Sequence, residues 1–498
     1  MKSAIITIVS LCLALNTFGQ SDADLVRSTV SKNDIEAHIY FLASDELRGR
    51  DTGSQEIDIA ASYLANSLRR YGVEPAGDNG TYYQEVTFQE KGPAKTLNLV
   101  SDKLNGGKFI TLSAHNTDYN GLAIYLDYGS ESDFKSNDVQ GKLVVVKAGD
   151  AEGDDMMSSY GAGKKKLNLA KKYGATGLIE LISLSDKEYD RMANHFNGVS
   201  IGLAPKDEAD KLIHLWRSNT DSDSTESWTL GETFSLSLRI EGVETKKIGG
   251  RNVVGYLEGS DAKLKDEFVV YSAHYDHNGV GVPNAEMDSI YNGARDNAVG
   301  TVTVLNVAEN LAKYPPKRSS LFIFFTGEEK GLLGSQYFVE NPTIALNQMV
   351  YCFNSDNGGY NDTSKTTIIG LNRTTAADHF KTAAIEFGLT AIGDPVPELN
   401  LFDRSDNVHF ARAGIPAPSY GMGFTAFDEE MKKYYHQVTD NPDTMDYDYL
   451  YKFFQSYVLS ARLIANDPET PFWTEGDKYF EAGIELYKKS EKEPERID

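Results

Sequence analysis

Cysteine is almost missing from this chain of 498 residues. It has two, Cys12 and Cys352, and Cys12 falls inside an apolar N-terminal stretch with the features of an export signal. Cleavage there would leave Cys352 alone, so no intramolecular disulfide could form even though export usually favours them. Basic residues are also in deficit, 49 Lys and Arg against 73 Asp and Glu, for a net charge of −24. That balance argues against nucleic acid or an anionic membrane surface as a partner; the acidity reads as solubility. Past the N-terminus no run reaches the ~20 apolar residues of a membrane-spanning helix. Three catalytic signatures are absent or out of context. There is no His-Glu-x-x-His, and the one Gly-x-Ser-x-Gly match, Gly198-Val199-Ser200-Ile201-Gly202, follows a polar stretch rather than the apolar strand a nucleophile elbow needs. Gly163-Lys164 is not a phosphate loop, because no Gly lies five residues earlier and no Ser or Thr follows the lysine.

What is present has ordinary globular proportions, 40% hydrophobic and 24% charged, in a chain too long for one core. Residues 1–20 carry a charged start, an apolar stretch from Ala4 to Phe18 and a small-then-polar junction at Gly19-Gln20-Ser21. They read as a signal peptide cleaved near Gln20, which places the mature protein outside the cytoplasm, in periplasm or medium. Residues 21–96 and 245–467 form one domain by texture. In its second part, short apolar runs alternate with helical periods. Strands are expected at 268–273, 321–326, 349–353, 366–369 and 417–420, and helices at 298–312, 332–340, 374–387, 406–413 and 447–465. That alternation specifies an α/β fold with a mostly parallel central sheet and helices on both faces. Residues 97–244 differ: strand-like pieces such as Leu143-Val144-Val145-Val146 alternate with acidic loops, with no cluster of His and carboxylates. They read as an inserted, β-rich, non-catalytic domain. Residues 468–498 are a charged tail with a short docked helix. Near the start, the polar, Gly-punctuated stretch from Asp45 to Gly53 reads as a surface loop, either simply solvated or lining a cleft with its charges.

The chemistry concentrates between Phe268 and Asp356. Three apolar runs there each end in potential metal ligands, just past strand ends where open α/β sheets bind substrates. The first ends in His274-Tyr275-Asp276-His277. A metal-bound imidazole usually gives its other N–H to a carboxylate, and Asp276 can supply one; His277 is given no role. The second ends in Gly327-Glu328-Glu329. Two adjacent carboxylates at a sheet mouth repel unless cations compensate them. Residues leaving a strand point apart, so one can bind metal while the other serves as general base. The third ends in Asn354-Ser355-Asp356. Between the first two, Asp296 precedes an apolar-periodic helix; an aspartate there can cap the helix or bridge two cations. His436 comes much later and is promoted only by the residues before it. The resulting set is His274, Asp296, Glu329, Asp356 and His436 as ligands, with Glu328 free. Two divalent cations and three ligand carboxylates leave one positive charge, which a bound hydroxide would balance as nucleophile. Nitrogen and oxygen donors without thiolate suit Zn²⁺, with Mn²⁺ or Co²⁺ as other occupants. Residue spacing does not pair ligands with metals. Cys352, in mid-strand between Tyr351 and Phe353, reads as packing.

These segments, with Gly293-Ala294-Arg295-Asp296-Asn297 and Tyr435-His436, match in order and approximate spacing a known pattern. The chain resembles the co-catalytic zinc exopeptidases, the family of bacterial leucyl aminopeptidase, aminopeptidase Y and glutamate carboxypeptidase. Phe41 to Arg50, Gly331 to Ser335 and Asn407 to Pro416 extend the likeness. The insert is similar to a protease-associated domain, notably at Gly141 to Val146 and Tyr173-Gly174-Ala175. The resemblance implies two Zn²⁺ ions bridged by Asp296. His274 and Asp356 would complete one site and Glu329 and His436 the other. Glu328 would be the general base and Asp276 a catalytic-site partner of His274. It implies hydrolysis of N-terminal peptide bonds in peptide substrates. A carboxypeptidase or dipeptidase of the same fold, with Arg404 or Arg412 as a carboxylate clamp, is the alternative. A single-zinc glutaminyl cyclase and a receptor-like binding protein are further rivals. Arg295 and Asn407 depart from residues common in the family and are expected to alter the substrate pocket rather than metal binding.

Overall fold

The computed structural model describes residues 20–104, 107–149, 156–196, 199–205, 212–218 and 227–488. The signal peptide read over 1–20 lies outside them except for Gln20, as do residues 489–498 of the tail. Two compact units emerge: Met1–Glu85 with Arg251–Asp498, and Val86–Gly250.

The first unit is built on a sheet whose strands run, from one edge, Thr390–Ile392, Lys365–Ile369, Ser419–Met422, Met349–Ser355, Phe268–His274, Ser319–Phe325 and Thr245–Leu257. The four pairings Phe268–His274 with Ser319–Phe325, Phe268–His274 with Met349–Ser355, Met349–Ser355 with Ser419–Met422, and Lys365–Ile369 with Thr390–Ile392 are parallel. Those of Lys365–Ile369 with Ser419–Met422 and of Thr245–Leu257 with Ser319–Phe325 are antiparallel. The central strands are buried along almost their whole length and mostly apolar, because both faces are covered. Phe322 and Phe324 enter one core together with Val269, Tyr271 and Ala273. Leu321, Ile323 and Phe325 enter the other with Val270. Each fully buried side chain of this size contributes roughly 1.5–3 kcal/mol, so the centre of the sheet contributes heavily to the stability of the unit.

Helices cover both faces. Gly300–Lys313 and Tyr447–Asn466 bury Val302, Leu305, Phe453 and Tyr457 in the first core. Asp446 starts the latter helix by accepting from the Asp448 and Tyr449 amides. Leu333–Glu340 and Asn407–Ala413 bring Phe338 and Phe410 to the second core. The strand expected at 417–420 is shifted to Ser419–Met422, and proline explains the shift. Pro416 and Pro418 have no N–H to donate; their carbonyls accept from the Cys352 and Asn354 amides instead. In the tail, Trp473 is buried with its indole N–H on the Gly414 carbonyl at 2.9 Å, and the helix Phe480–Lys488 follows.

The second unit holds a seven-stranded mixed sheet in the order Thr96–Ser101, Thr233–Glu241, Thr117–Tyr125, Leu143–Lys147, Gly177–Ile182, Ile213–Ser218 and Lys108–Ser113. Its core forms around Leu143, Val145, Ile179, Leu215 and Leu238. A buried Glu180 accepts from the Trp216 indole at 3.0 Å and lies 2.6 Å from His214 Nε2. The compact unit is wider than the 97–244 expected.

Candidate metal centre

The parallel centre of the first unit stacks three strand ends side by side, and each end delivers a polar residue. Phe268–His274 is flanked by Ser319–Phe325 on one side and Met349–Ser355 on the other, so strand order reverses around it. This is the position where α/β sheets open a crevice. His274 closes its strand, Glu328 and Glu329 follow Gly327, and Asp356 follows Ser355. Gly327 has φ of 73°, a left-handed turn that glycine adopts without strain.

Asp296 does not cap a helix. It lies in an irregular turn, Ala294–Val299, with φ −112° and ψ 94°, and the regular helix starts only at Gly300. Its two oxygens part company: Oδ1 is 3.4 Å from His274 Nε2 and Oδ2 is 3.1 Å from His436 Nε2. His274 Nε2 is also 3.4 Å from Asp356 Oδ1, and His436 Nε2 is 3.5 Å from Glu329 Oε2. Donor atoms of His274, Glu328 and Asp356 lie within 4.8 Å of one another. So do those of His277, Asp296 and Glu329. All five proposed ligands and Glu328 therefore meet in one place, and the adjacent glutamates serve opposite groups.

Asp276 sits differently from expectation. Its carboxylate is 3.7 Å from His274 Nδ1, whereas its own carbonyl is 3.2 Å away. The carboxylate accepts from the amides of Glu328 (3.1 Å) and Glu329 (3.3 Å) and from the Thr52 hydroxyl (3.0 Å). Its main contacts hold the glutamate turn in place. The stretch from Asp45 to Gly53 is not wholly a surface loop either. Arg50 is 1% exposed, and its guanidinium donates to the carbonyls of Tyr275 (2.8 Å), Asn292 (2.7 Å), Gly293 (3.0 Å) and Leu42. Strand ends and turns leave carbonyls without ladder partners, and a five-donor fork satisfies several at once. Burial lowers its pKa to about 10, against the pull of Asp276 and Asp296, so it stays charged at neutral pH.

Arg295 and Asn407 do not line the cavity. Arg295 pairs with Asp440 at 3.0 Å and lies 3.6 Å from the Tyr434 ring centre. It thereby ties the Asp296 turn to the segment that carries His436. Asn407 donates to the carbonyls of Phe402 and Ala417. Sequence reasoning gave no site role to Arg50, Thr52, Asp440 or His277. Arg50 had a signal in the Phe41-to-Arg50 likeness and in a charged loop able to line a cleft, and His277 in its place after Asp276; Thr52 and Asp440 had none of their own.

The electrostatics fit a cationic occupant. Burial opposes a charged His274, yet Glu328, Asp276, Asp296 and Asp356 outweigh it and raise the imidazole pKa well above its ordinary value. Burial raises the Glu328 carboxyl well above the usual range, and Asp356, Asp406 and Glu329 push the same way, against His274. Asp406, buried nearby, is raised to about 7, chiefly by burial. Carboxylates crowded this closely want positive charge between them, and imidazole with carboxylate donors suits zinc. The crevice opens into a cavity of about 400 Å³ walled by Ile369, Met422, Phe424, Phe427 and Met431, with Arg404 among its polar residues. Cys352 takes no part: it is buried beside Ser272, and its thiol is pushed up to about 12 by burial.

A sheet crevice with this donor set defines an α/β metal centre of the zinc exopeptidase type. Residues 252–459, the segment that bears the site, match the model of Peptidase family M28. Aminopeptidase YwaD of Bacillus subtilis (strain 168) is 25% identical over 315 residues, 63% of this chain and 60% of that protein. Probable leucine aminopeptidase 2 of Aspergillus oryzae is 24% identical over 311 residues, 62% of this chain and 55% of that one. Aminopeptidase Y of Saccharomyces cerevisiae is 25% identical over 272 residues, 49% and 47% of the two chains. The chain thus spans about half to three-fifths of the length of these relatives. The solved aminopeptidase from Aneurinibacillus sp. strain AM-1 shares the fold, with a TM-score of 0.52 at 18% identity, covering 90% of this chain and 97% of that one.

Two variants test the supports of the centre. Arg50→Met strands several buried carbonyls and is expected to cost about 3 kcal/mol or more, read as a lower urea midpoint; an unchanged midpoint would show that the carbonyls find other donors. Asp406 binds a proton in the folded state up to about pH 7, whereas an unfolded aspartate has lost it by about pH 4. The folded state therefore holds more protons in that window, and stability falls as pH rises through it. In metal-free protein, Asp406→Asn is expected to flatten this fall by a few kcal/mol. Urea melts at pH 4.5 and 8 check it; equal pH dependence in both proteins sinks the assignment.

Proposed function

We propose that the protein is an exported zinc-dependent aminopeptidase that holds two zinc ions and removes N-terminal residues from peptides. One observation carries the two-metal reading: the Asp296 carboxylate addresses His274 with one oxygen and His436 with the other, at 3.4 and 3.1 Å. His274 and Asp356 would hold one ion, Glu329 and His436 the other, with Asp296 shared. When bound, zinc acidifies a water and polarises the scissile carbonyl. The chain's own residues do the rest. Glu328 takes a proton from the attacking water on its carboxylate and returns it to the leaving amine. Burial and neighbouring carboxylates make that group more basic than a free glutamate, which suits it to hold the proton between the two transfers. Asp276 keeps Glu328 and Glu329 in their opposed orientations through the two amides. The apolar wall of Ile369, Met422, Phe424 and Met431 suits an apolar terminal side chain. Among the described residues no helix is long and apolar enough to cross a membrane. The export reading rests on residues 1–20, and the protease-associated reading of the insert rests on its sequence likeness.

A carboxypeptidase reading has one observation in its favour. Arg404 is exposed and lines the cavity, where it could meet a substrate carboxylate; Arg412 does not line it. Digestion of a mixed peptide library by zinc-loaded protein, followed by sequencing of the products, separates the two. Loss of N-terminal residues supports aminopeptidase action, and loss from the C-terminus replaces it. Glu328→Gln is expected to keep its zinc while kcat falls by a factor of about 10² to 10⁴. A variant with wild-type kcat would remove Glu328 from the base role.

A further inference from the structure

His277 follows Asp276 by one residue and has no part in the mechanism above, yet it is among the most enclosed polar side chains of the unit, with 0% exposure. Its Nδ1 lies 2.7 Å from Glu329 Oε1. The other oxygen of that carboxylate, Oε2, is the one 3.5 Å from His436 Nε2. Glu329 is therefore bracketed by two imidazoles, one buried and one 39% exposed. An ionised carboxylate only accepts, so Nδ1 carries the hydrogen of this contact. His277 Nε2 has no hydrogen-bond partner, so the ring's one hydrogen bond is spent on Glu329.

The ring has little freedom to be anywhere else. Gly293, at φ 61°, lies flat against it: a Cβ there would fall 2.6 Å from His277 Cγ and Cδ2 and 2.2 Å from the Asp296 carbonyl oxygen. The Gly293 carbonyl is gripped by Arg50, whose own carbonyl accepts from the His277 amide at 3.2 Å. The imidazole is thus fixed from both its face and its backbone.

We infer that His277 is a positioning residue for Glu329: it anchors one carboxylate oxygen so that the other is presented to the metal shared with His436. A carboxylate left to rotate must give up side-chain freedom on binding. A rigid hydrogen-bond partner removes that cost and selects one orientation, as outer partners of metal ligands do elsewhere. The inference rests on the two-zinc reading above, and it predicts that the two sites respond unequally.

The test exploits the shape of the amides. Asparagine places its amide near the position of Nδ1, whereas glutamine places it near Nε2. Zinc content by mass spectrometry and affinity by chelator competition are compared for wild type, His277→Asn and His277→Gln. The expected result is one tightly held zinc in all three proteins. The second zinc should bind about 10- to 100-fold more weakly in the Gln variant and within about threefold of wild type in the Asn variant. At saturating zinc, KM for a peptide substrate should stay unchanged in both. Equal zinc affinities in all three proteins would reduce His277 to packing. Loss of the second zinc from the Asn variant as complete as from His436→Ala would make His277 a ligand and overturn the positioning role. A wild-type protein that binds fewer than two zinc ions would overturn the two-metal reading and this inference with it, whatever the variants do.

Discussion

The constraint on which the site depends is the confinement of several carboxylates at the mouth of one sheet. Asp276, Asp296, Glu328, Glu329, Asp356 and Asp406 all converge near His274, and Asp276, Asp296 and Asp406 are buried. Without cations, protons take up the slack, which is why His274, Glu328 and Asp406 all have raised pKa values. The surrounding structure is arranged to tolerate this. Arg50 supplies a buried positive charge and holds the carbonyls of Tyr275, Asn292 and Gly293, backbone amides of the glutamate turn donate to Asp276, and Arg295 pairs with Asp440 rather than lining the cavity. The last two devices each keep one acidic group fixed beside the crevice.

Stiffness and reach are divided between two kinds of chain segment. The parallel strands, apolar on both faces, hold His274, Glu328 and Asp356 at a spacing set by the sheet. His436 arrives on an irregular segment with a positive φ of 54°, and its ring stacks on Tyr435 at 4.0 Å. Its placement depends on local packing and on the Arg295–Asp440 pair. One side of the centre is therefore built on scaffold, and the other on a loop pinned from outside.

How much of this can be read in the residues alone follows from the same division. A buried parallel strand is a continuous apolar run, so the first polar residue after it marks the sheet mouth; His274, the glutamates and Asp356 were visible for that reason. Asp296 was visible as a helix-start residue, but its irregular turn was not, because a capping aspartate and a bridging one look alike in sequence. His436 has no local pattern and needed the family resemblance. Arg50 was hidden because burial of a guanidinium depends on which carbonyls the fold leaves unpaired, and that is a property of the assembled tertiary structure. His277 was hidden in plain view, adjacent to a recognised motif whose other members had obvious tasks. The edges of the strand at Ser419 were displaced by prolines, whose missing N–H shifts where pairing begins.

The contact between Arg295 and Asp440 joins residues 145 positions apart, and that separation matters for assembly of the fold. Closing so long a loop costs entropy that nothing local repays. The donor set stays incomplete until the chain beyond residue 430 has folded back over the sheet. The centre thus works as a clasp on the ordering of its own polypeptide. An ion that binds only the closed arrangement adds its binding free energy to the stability of the folded state. A chain without ions holds the clasp shut with the Arg295–Asp440 pair, the stacking of Arg295 on Tyr434 and the packing of the helix Tyr447–Asn466 into the first core.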